Sequence, residues 1–313
     1  MIFDKNHRVL ITGATGMVGK AVVKLLQCYK HIHLLCPKRR DLDLTDKKKV
    51  FEYFEVYKPE IVFMLAAKVG GIQANIDDPI NFLNDNLKIQ LNLFEACYKF
   101  ETKKNLFLGS SCIYPKHCSQ PMNEELLMTG KLESSNEGYA LAKIVGLKMA
   151  NLYYKKHGMI TVCPMACNIY GTNDHYDLRN SHVLSALVKK FVDAKQKGLK
   201  QVEIWGSGKP RREFIHVNDV ANGLIHLMKI INDSQIINLG TGHDLSIKSL
   251  SKLISDVVQY QGKIIWNTKK QDGMEQKCLD ITKLQKTGFK HAIDLRDGIE
   301  QTVNEYINLT KNS

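Results

Sequence analysis

Tyr139 and Lys143 carry the first sign of chemistry in this 313-residue chain. The run Tyr-Ala-Leu-Ala-Lys sets a phenol and an ammonium at i and i+4, one above the other on a helix face. A nearby cation favours phenolate, so the tyrosine pKa is expected to fall and the phenol to exchange a proton near neutral pH. Read alone, the pair would be an ordinary surface pairing. About one strand–helix unit earlier stands Gly109-Ser110-Ser111-Cys112. A serine hydroxyl and a tyrosine phenol can both hydrogen-bond a carbonyl oxygen while hydride attacks its carbon.

A hydride needs a carrier, and the N-terminus offers a place for one. Gly13-Ala-Thr-Gly16-Met-Val-Gly19 lies between an apolar strand-like run and a helical pattern. Gly13 permits a tight turn, Gly16 lets backbone approach a pyrophosphate, and Gly19 lets helix pack on strand. Helix amides then face the phosphates. The next strand ends in Lys38-Arg39-Arg40 rather than in a lone acid, which suits a 2′-phosphate and predicts NADP(H); Asp43 is then available to the adenine region.

The elements that must hold these groups alternate along the chain. Strands are expected at 8–12, 31–36, 61–66, 105–110 and 159–167, and helices at 19–29, 47–57, 79–100 and 138–157. That alternation implies a doubly wound parallel sheet, a Rossmann α/β fold, with ligands at the carboxyl ends of its strands. Beyond it come helices at 181–195 and 217–230, strands at 201–205 and 236–239, a turn at 206–210, and a mixed tail. The division expected is a nucleotide-binding domain of 1–171 plus 214–243. A smaller, interleaved α/β substrate domain of 172–213 plus 244–313 completes it.

Bulk properties exclude more than they assign. The net charge is +12, but only seven of the 44 basic residues are arginines. Scattered lysine reads as solvated surface, whereas arginine grips phosphate with two hydrogen bonds. A nucleic-acid-binding module is therefore disfavoured, since no basic–aromatic motif accompanies the charge. No apolar run approaches the ~20 residues that span a bilayer, and no secretory leader is recognisable. The eight cysteines form no metal or redox spacing; Cys163 and Cys167 read as buried thiols. A reducing, cytoplasmic setting is expected.

The chain resembles the extended short-chain dehydrogenase/reductases. Within them it is similar to the GDP-L-fucose synthases, the GDP-4-keto-6-deoxymannose 3,5-epimerase-4-reductases. GMVG, DLDLTD, AAKVGGI, LGSSCIYPK, YALAKIVGLKM, NIYG, NSHV, WGSGKPRREFIHV and QDG–K-CLD run in order over nearly the whole length. The resemblance implies that Ser110, Tyr139 and Lys143 form the reductase triad. It implies that Cys112 and His182 are the acid/base pair of epimerisation. A 4-keto group acidifies the C–H bonds at C3 and C5, and thiol and imidazole titrate close enough to neutrality to move those protons.

Cofactor contacts are implied for Gly13, Thr15, Gly16, Met17, Val18, Gly19, Arg39, Asp43, Leu108, Gly109, Ser110, Ser111, Lys143, Ala166, Asn168, Ile169 and His182. Contacts with a GDP-linked 4-keto-6-deoxy sugar are implied for Lys190, Trp205, Arg212, Asp272 and Lys277. No metal is expected. A homodimer packed through the two long helices is.

Departures from the pattern matter. Thr15 stands where arginine is usual, Ala166-Cys167 where Pro-Thr is, Gly138 where proline is, and Glu275-Gln276 where Pro-Arg is. Arg179 replaces a small residue before Asn180-Ser181-His182. Such changes suit a C4-reductase of another GDP-4-keto-6-deoxy sugar, such as a heptose, without epimerisation. A non-catalytic dinucleotide sensor or partner-binding protein is the rival of another class.

Overall fold

The computed structural model describes residues 2–3, 5–177, 181–270 and 272–311. Chain order begins with β1 (His7–Thr12), α1 (Met17–Leu26), β2 (Ile32–Leu35), α2 (Lys47–Tyr57) and β3 (Ile61–Met64). The apolar runs of β1 and β3 are buried almost throughout, as strands covered on both faces must be. α2 starts where Asp46 accepts the Lys49 amide, and it ends at Lys58 in the left-handed region. Arg8 donates to the Lys58 carbonyl at 2.6 Å and lies 3.5 Å from Glu60, so this arginine clamps the turn into β3.

Next come α3 (Ile72–Asp77), α4 (Pro79–Lys99), β4 (Lys104–Phe107), β5 (Gly109–Ser110), α5 (Glu137–His157) and β6 (Thr161–Ala166). The two long helices lie side by side. Gln90 donates to the Ala142 carbonyl at 2.6 Å inside their contact. At Gly138 a Cβ would stand 2.6 Å from the Pro79 carbonyl oxygen, so α5 can begin against α4 only with glycine there. That explains the departure from proline.

The remainder is β7 (Asn168–Tyr170), α6 (Val183–Gln196), β8 (Gln201–Trp205), β9 (Arg211–His216), α7 (Val217–Ile230), β10 (Ile236–Leu239), β11 (Asp244–Ser246), α8 (Ile247–Val258), β12 (Lys263–Asn267), β13 (Gln276–Lys277), α9 (Thr282–Lys286) and α10 (Leu295–Lys311). The main sheet runs β10-β6-β4-β3-β1-β2, with β5 also beside β6, and every pairing is parallel. This is the expected doubly wound α/β arrangement. β9 gathers β11, β13 and β7 into a second sheet, and β8 pairs with β12 in a third.

The buried apolar residues form two cores. One lies about the main sheet and includes Val9, Phe63, Phe94 and Leu224; the other joins α6, α8 and α10 through Phe191, Ile254 and Tyr306. Cys163 and Cys167 are buried thiols, as expected. No described helix is long and apolar enough to cross a membrane.

Candidate active site

The carboxyl ends of the main-sheet strands open into a cavity of about 730 Å³. Thr12 fixes its floor. Its hydroxyl donates to the Phe63 carbonyl and accepts from the Leu65 and Ala66 amides, which ties the end of β1 to the end of β3. Gly13 follows at φ +72°, where a Cβ would meet the Ala66 backbone at 2.9 Å. At Gly19 a Cβ would fall 2.1 Å from the Gly13 carbonyl oxygen. These two positions admit no side chain. α1 has no side-chain cap and no acid in its first turn, so its leading amides are free to face an anion. The residues present thus fit the pyrophosphate of a dinucleotide.

Every expected cofactor residue lines this cavity: Gly13, Thr15, Gly16, Met17, Val18, Gly19, Arg39, Asp43, Leu108, Gly109, Ser110, Ser111, Lys143, Ala166, Asn168, Ile169 and His182. Asp43 accepts the Thr45 amide and hydroxyl at 3.0 and 2.7 Å, bonds that together with Arg39 hold its carboxyl below the usual range. The basic cluster divides. Arg39 lines the cavity, while Arg40 turns outward to Asp41 at 3.5 Å.

Ser110, Cys112, Tyr139, Lys143 and His182 share the cavity as well. Ser110 caps the short helical turn Ser111–Ile113, its hydroxyl accepting the Cys112 amide at 3.4 Å. His182 caps α6 with extended backbone, and its side chain is exposed. Lys143 is buried, donates to the Leu108 carbonyl at 2.7 Å, and lies 5.7 Å from the centre of the Tyr139 ring. Burial lowers its pKa to about 8.

The expected fall in the Tyr139 pKa is not found. Burial, with Cys112 second, pushes the phenol well above its ordinary value. The ammonium is aimed at a carbonyl rather than at the phenol, and desolvation wins. Cys112 is raised by burial too, opposed by Lys277, by Ser110 and by Lys143.

A buried cation held by one carbonyl is costly. The folded Lys143 pKa lies below its unfolded value, so the unfolded chain binds the extra proton between about pH 8 and 10.5. The burial cost is therefore full below pH 8 and is relieved as pH rises. Lys143→Met is expected to match or exceed the native Tm at pH 7. Its advantage should shrink from pH 8 to 10 in thermal melts; an advantage that grows would contradict this origin.

The substrate residues split. Arg212 and Lys277 are neighbours across β9 and β13, and both line the cavity. Burial lowers both pKa values. Lys190, Trp205 and Asp272 lie beyond its rim. Lys190 donates to the Glu203 carbonyl at 2.9 Å and stands 5.4 Å over the Trp205 ring, while Asp272 accepts the Ser207 amide and hydroxyl at 2.9 and 2.6 Å. Trp205 is 56% exposed, in keeping with a stacking surface rather than with core. Gly273, beside Asp272, lines the cavity next to the Arg212 guanidinium and joins the two regions. Arg211, next to Arg212 in sequence, points away from the cavity and is paired with Asp244 at 2.7 and 3.1 Å. Arg296 pairs with Glu300 along α10. Arg179 and Asn180 lie outside the described residues.

Some cavity residues carried no sequence signal. Glu133, paired with Lys116 at 3.2 Å, is a lone acid in a loop. Lys68 sits inside the AAKVGGI run. It holds Asp78 at 2.7 Å and Asp85 at 3.5 Å and fixes the crossover beside Val69 and Gly70. Glu213 touches no cavity atom yet braces its wall, accepting the amides of Thr241, Gly242 and Leu279 at 2.6–2.7 Å. Burial still raises its pKa. Glu213→Ala leaves one buried and two part-buried amides unpaired, so a loss of about 3 kcal/mol is expected in urea unfolding.

A Rossmann sheet with a glycine loop and a Ser–Tyr–Lys set at its crevice defines a dinucleotide-dependent short-chain dehydrogenase/reductase. Residues 9–240 match the model of the NAD dependent epimerase/dehydratase family, and the chain belongs to that family. It is 41% identical to GDP-L-fucose synthase 1 of Arabidopsis thaliana over 304 residues, covering 97% of this chain and 94% of that one. A GDP-6-OMe-4-keto-L-xylo-heptose reductase from C. jejuni superposes with a TM-score of 0.91 at 32% identity, covering 98% and 99%. A GDP-L-fucose synthetase from Naegleria fowleri bound to NADP gives a TM-score of 0.91 at 28% identity, covering 99% and 95%.

Proposed function

We propose that the protein is an NADP-dependent oxidoreductase and epimerase that converts GDP-4-keto-6-deoxy-D-mannose to GDP-L-fucose. The observation that carries this reading is the meeting of two sets in one cavity: Ser110, Tyr139 and Lys143 for reduction, Cys112 and His182 for proton transfer at carbon. A non-catalytic sensor has no need of both. Similarity to the synthases of Arabidopsis and Naegleria supports the choice of substrate and of cofactor.

Each residue then has a task. The amides of Met17, Val18 and Gly19 take the pyrophosphate, and Arg39 the 2′-phosphate. When bound, NADPH would supply the hydride for reduction at C4 of the sugar. Ser110 and Tyr139 hold the C4 oxygen, and Tyr139 donates its proton there. The high phenol pKa suits the donor role, and Lys143 restrains the phenolate that remains. Cys112 and His182 remove and return protons at C3 and C5 while the ketone is intact. Arg212 and Lys277 face the sugar diphosphate, with Lys190, Trp205 and Asp272 holding the guanosine outside the rim. In this reading 1–171 plus 214–243 binds cofactor, and 172–213 plus 244–313 binds the sugar nucleotide.

Product NMR after incubation with NADPH and GDP-4-keto-6-deoxymannose tests the reading, and GDP-L-fucose is expected. A 4-reduced product with unchanged C3 and C5 would favour the heptose-type reductase. We also propose a homodimer in a cytoplasmic setting. α4 and α5 expose Ile80 at 70% and Leu152 at 64%, with Leu91, Leu141 and Val145 on the same helices. Light scattering should return twice the chain mass.

A further inference from the structure

The loop before α6 carries a second imidazole, His175, that lines the cavity together with Gly16, Met17 and His182. It is held from two sides. Lys20, one turn into α1, donates to the Asn173 side-chain oxygen at 2.8 Å. Glu305 on α10 accepts the Asn173 amide with both carboxylate oxygens, at 2.8 and 2.9 Å, and the Tyr176 hydroxyl at 3.3 Å. Asp174 accepts the Ser185 hydroxyl and the His175 amide. The backbone on either side of His175 is thus pinned beside the N-terminal end of α1. Its imidazole is exposed and has no hydrogen-bond partner among the described residues.

Charge gives this placement meaning. The glycine loop contributes no cationic side chain, since Thr15 stands at its centre. Among the described cavity-lining cations, Arg39 lies on the far, β2 side and Lys277 and Arg212 on the β9–β13 side, while Lys68 is paired with Asp78 and Asp85 and Lys143 donates to the Leu108 carbonyl. Among the described residues, a diphosphate in front of α1 would otherwise meet helix amides, with Lys20 of α1 held to Asn173. We propose that His175 is a binding residue for the diphosphate of the dinucleotide, closing it against the N-terminus of α1. The proposal rests on the assignment of NADP(H) to this cavity.

Histidine is the side chain that ordinarily gains charge between pH 8 and 5, and a charged donor to phosphate is roughly twice as strong as a neutral one. The groups around it are Lys20 on α1, Asp174 and Asp177 on its own loop, His182 at the start of α6, and Glu305 on α10. Lys20 and Glu305 are occupied with Asn173, and Asp174 with Ser185.

The test is equilibrium binding of NADPH, read by ligand fluorescence at about pH 6 and pH 8, for the native protein and for His175→Gln. The variant-to-native Kd ratio should stay near one at pH 8 and reach about fivefold at pH 6. Titration of the ligand's own 2′-phosphate cancels in that ratio. GDP, which carries the other diphosphate of the system, should show no such change. A ratio near one at both pH values overturns the proposal, as does a change for GDP in place of NADPH. Native protein that binds no NADPH overturns the cofactor assignment itself. His175→Asn serves as the second variant if the first fails to fold.

Discussion

Tyr139→Phe is expected to lower the rate of NADPH oxidation on the keto sugar by about 10²- to 10⁴-fold, with little change in NADPH affinity. The phenol is the proton donor in the proposed reduction, and its burial keeps it protonated at neutral pH. Loss of that proton leaves the C4 oxygen with Ser110 alone. The native pH profile carries a second signature. Lys143 is a cation below its pKa of about 8 and neutral above it. Turnover should therefore fall as pH rises through about 8, because the developing phenolate loses its counter-charge. The residual activity of Tyr139→Phe should lack that limb. A variant that keeps full turnover would remove Tyr139 from the chemistry.

Cys112→Ser should separate the two activities. A serine hydroxyl is a far weaker acid than a thiol, even a Cys112 thiol that burial raises against the opposing pull of Lys277, Ser110 and Lys143. Uptake of solvent deuterium at carbon is expected to fall by about 10²- to 10³-fold. Reduction of C4 should persist on sugar that has not been epimerised, because Ser110, Tyr139 and Lys143 are untouched. Mass spectrometry of the nucleotide sugar reads the first effect and NADPH absorbance the second. Equal loss of both would mean that Cys112 serves the fold of the Ser111–Ile113 turn rather than proton transfer.

How far the chain could be read from its residues follows from how local each signal is. α2 was legible to the residue because its cap, Asp46, and its apolar spacing lie within one segment. β8, α7 and β10 were equally plain. β7 and β13, of three and two residues, were not: they exist because β9 offers an edge on each side, and no short window of sequence shows an edge. The same logic divides the site. The glycine loop and the Ser–Tyr–Lys set announce themselves by spacing, and the cavity collects all of them.

Electrostatics was less legible. The i, i+4 spacing of Tyr139 and Lys143 suggested a lowered phenol pKa, yet depth of burial and the Leu108 carbonyl decide the matter. The arginines tell a similar story. Arg39 and Arg212 line the cavity, whereas Arg8, Arg40, Arg211 and Arg296 pair with nearby carboxylates. Glu213 had no sequence signature, because the amides it gathers come from two distant segments.

The central claim is that one cavity both moves protons at C3 and C5 and reduces C4. It is tested most directly by turning over GDP-4-keto-6-deoxymannose with NADPH in deuterated water and examining the product. The account predicts a GDP-L-fucose that carries deuterium at both C3 and C5, with one NADPH oxidised per product. A reduced product with protium at both positions would contradict it.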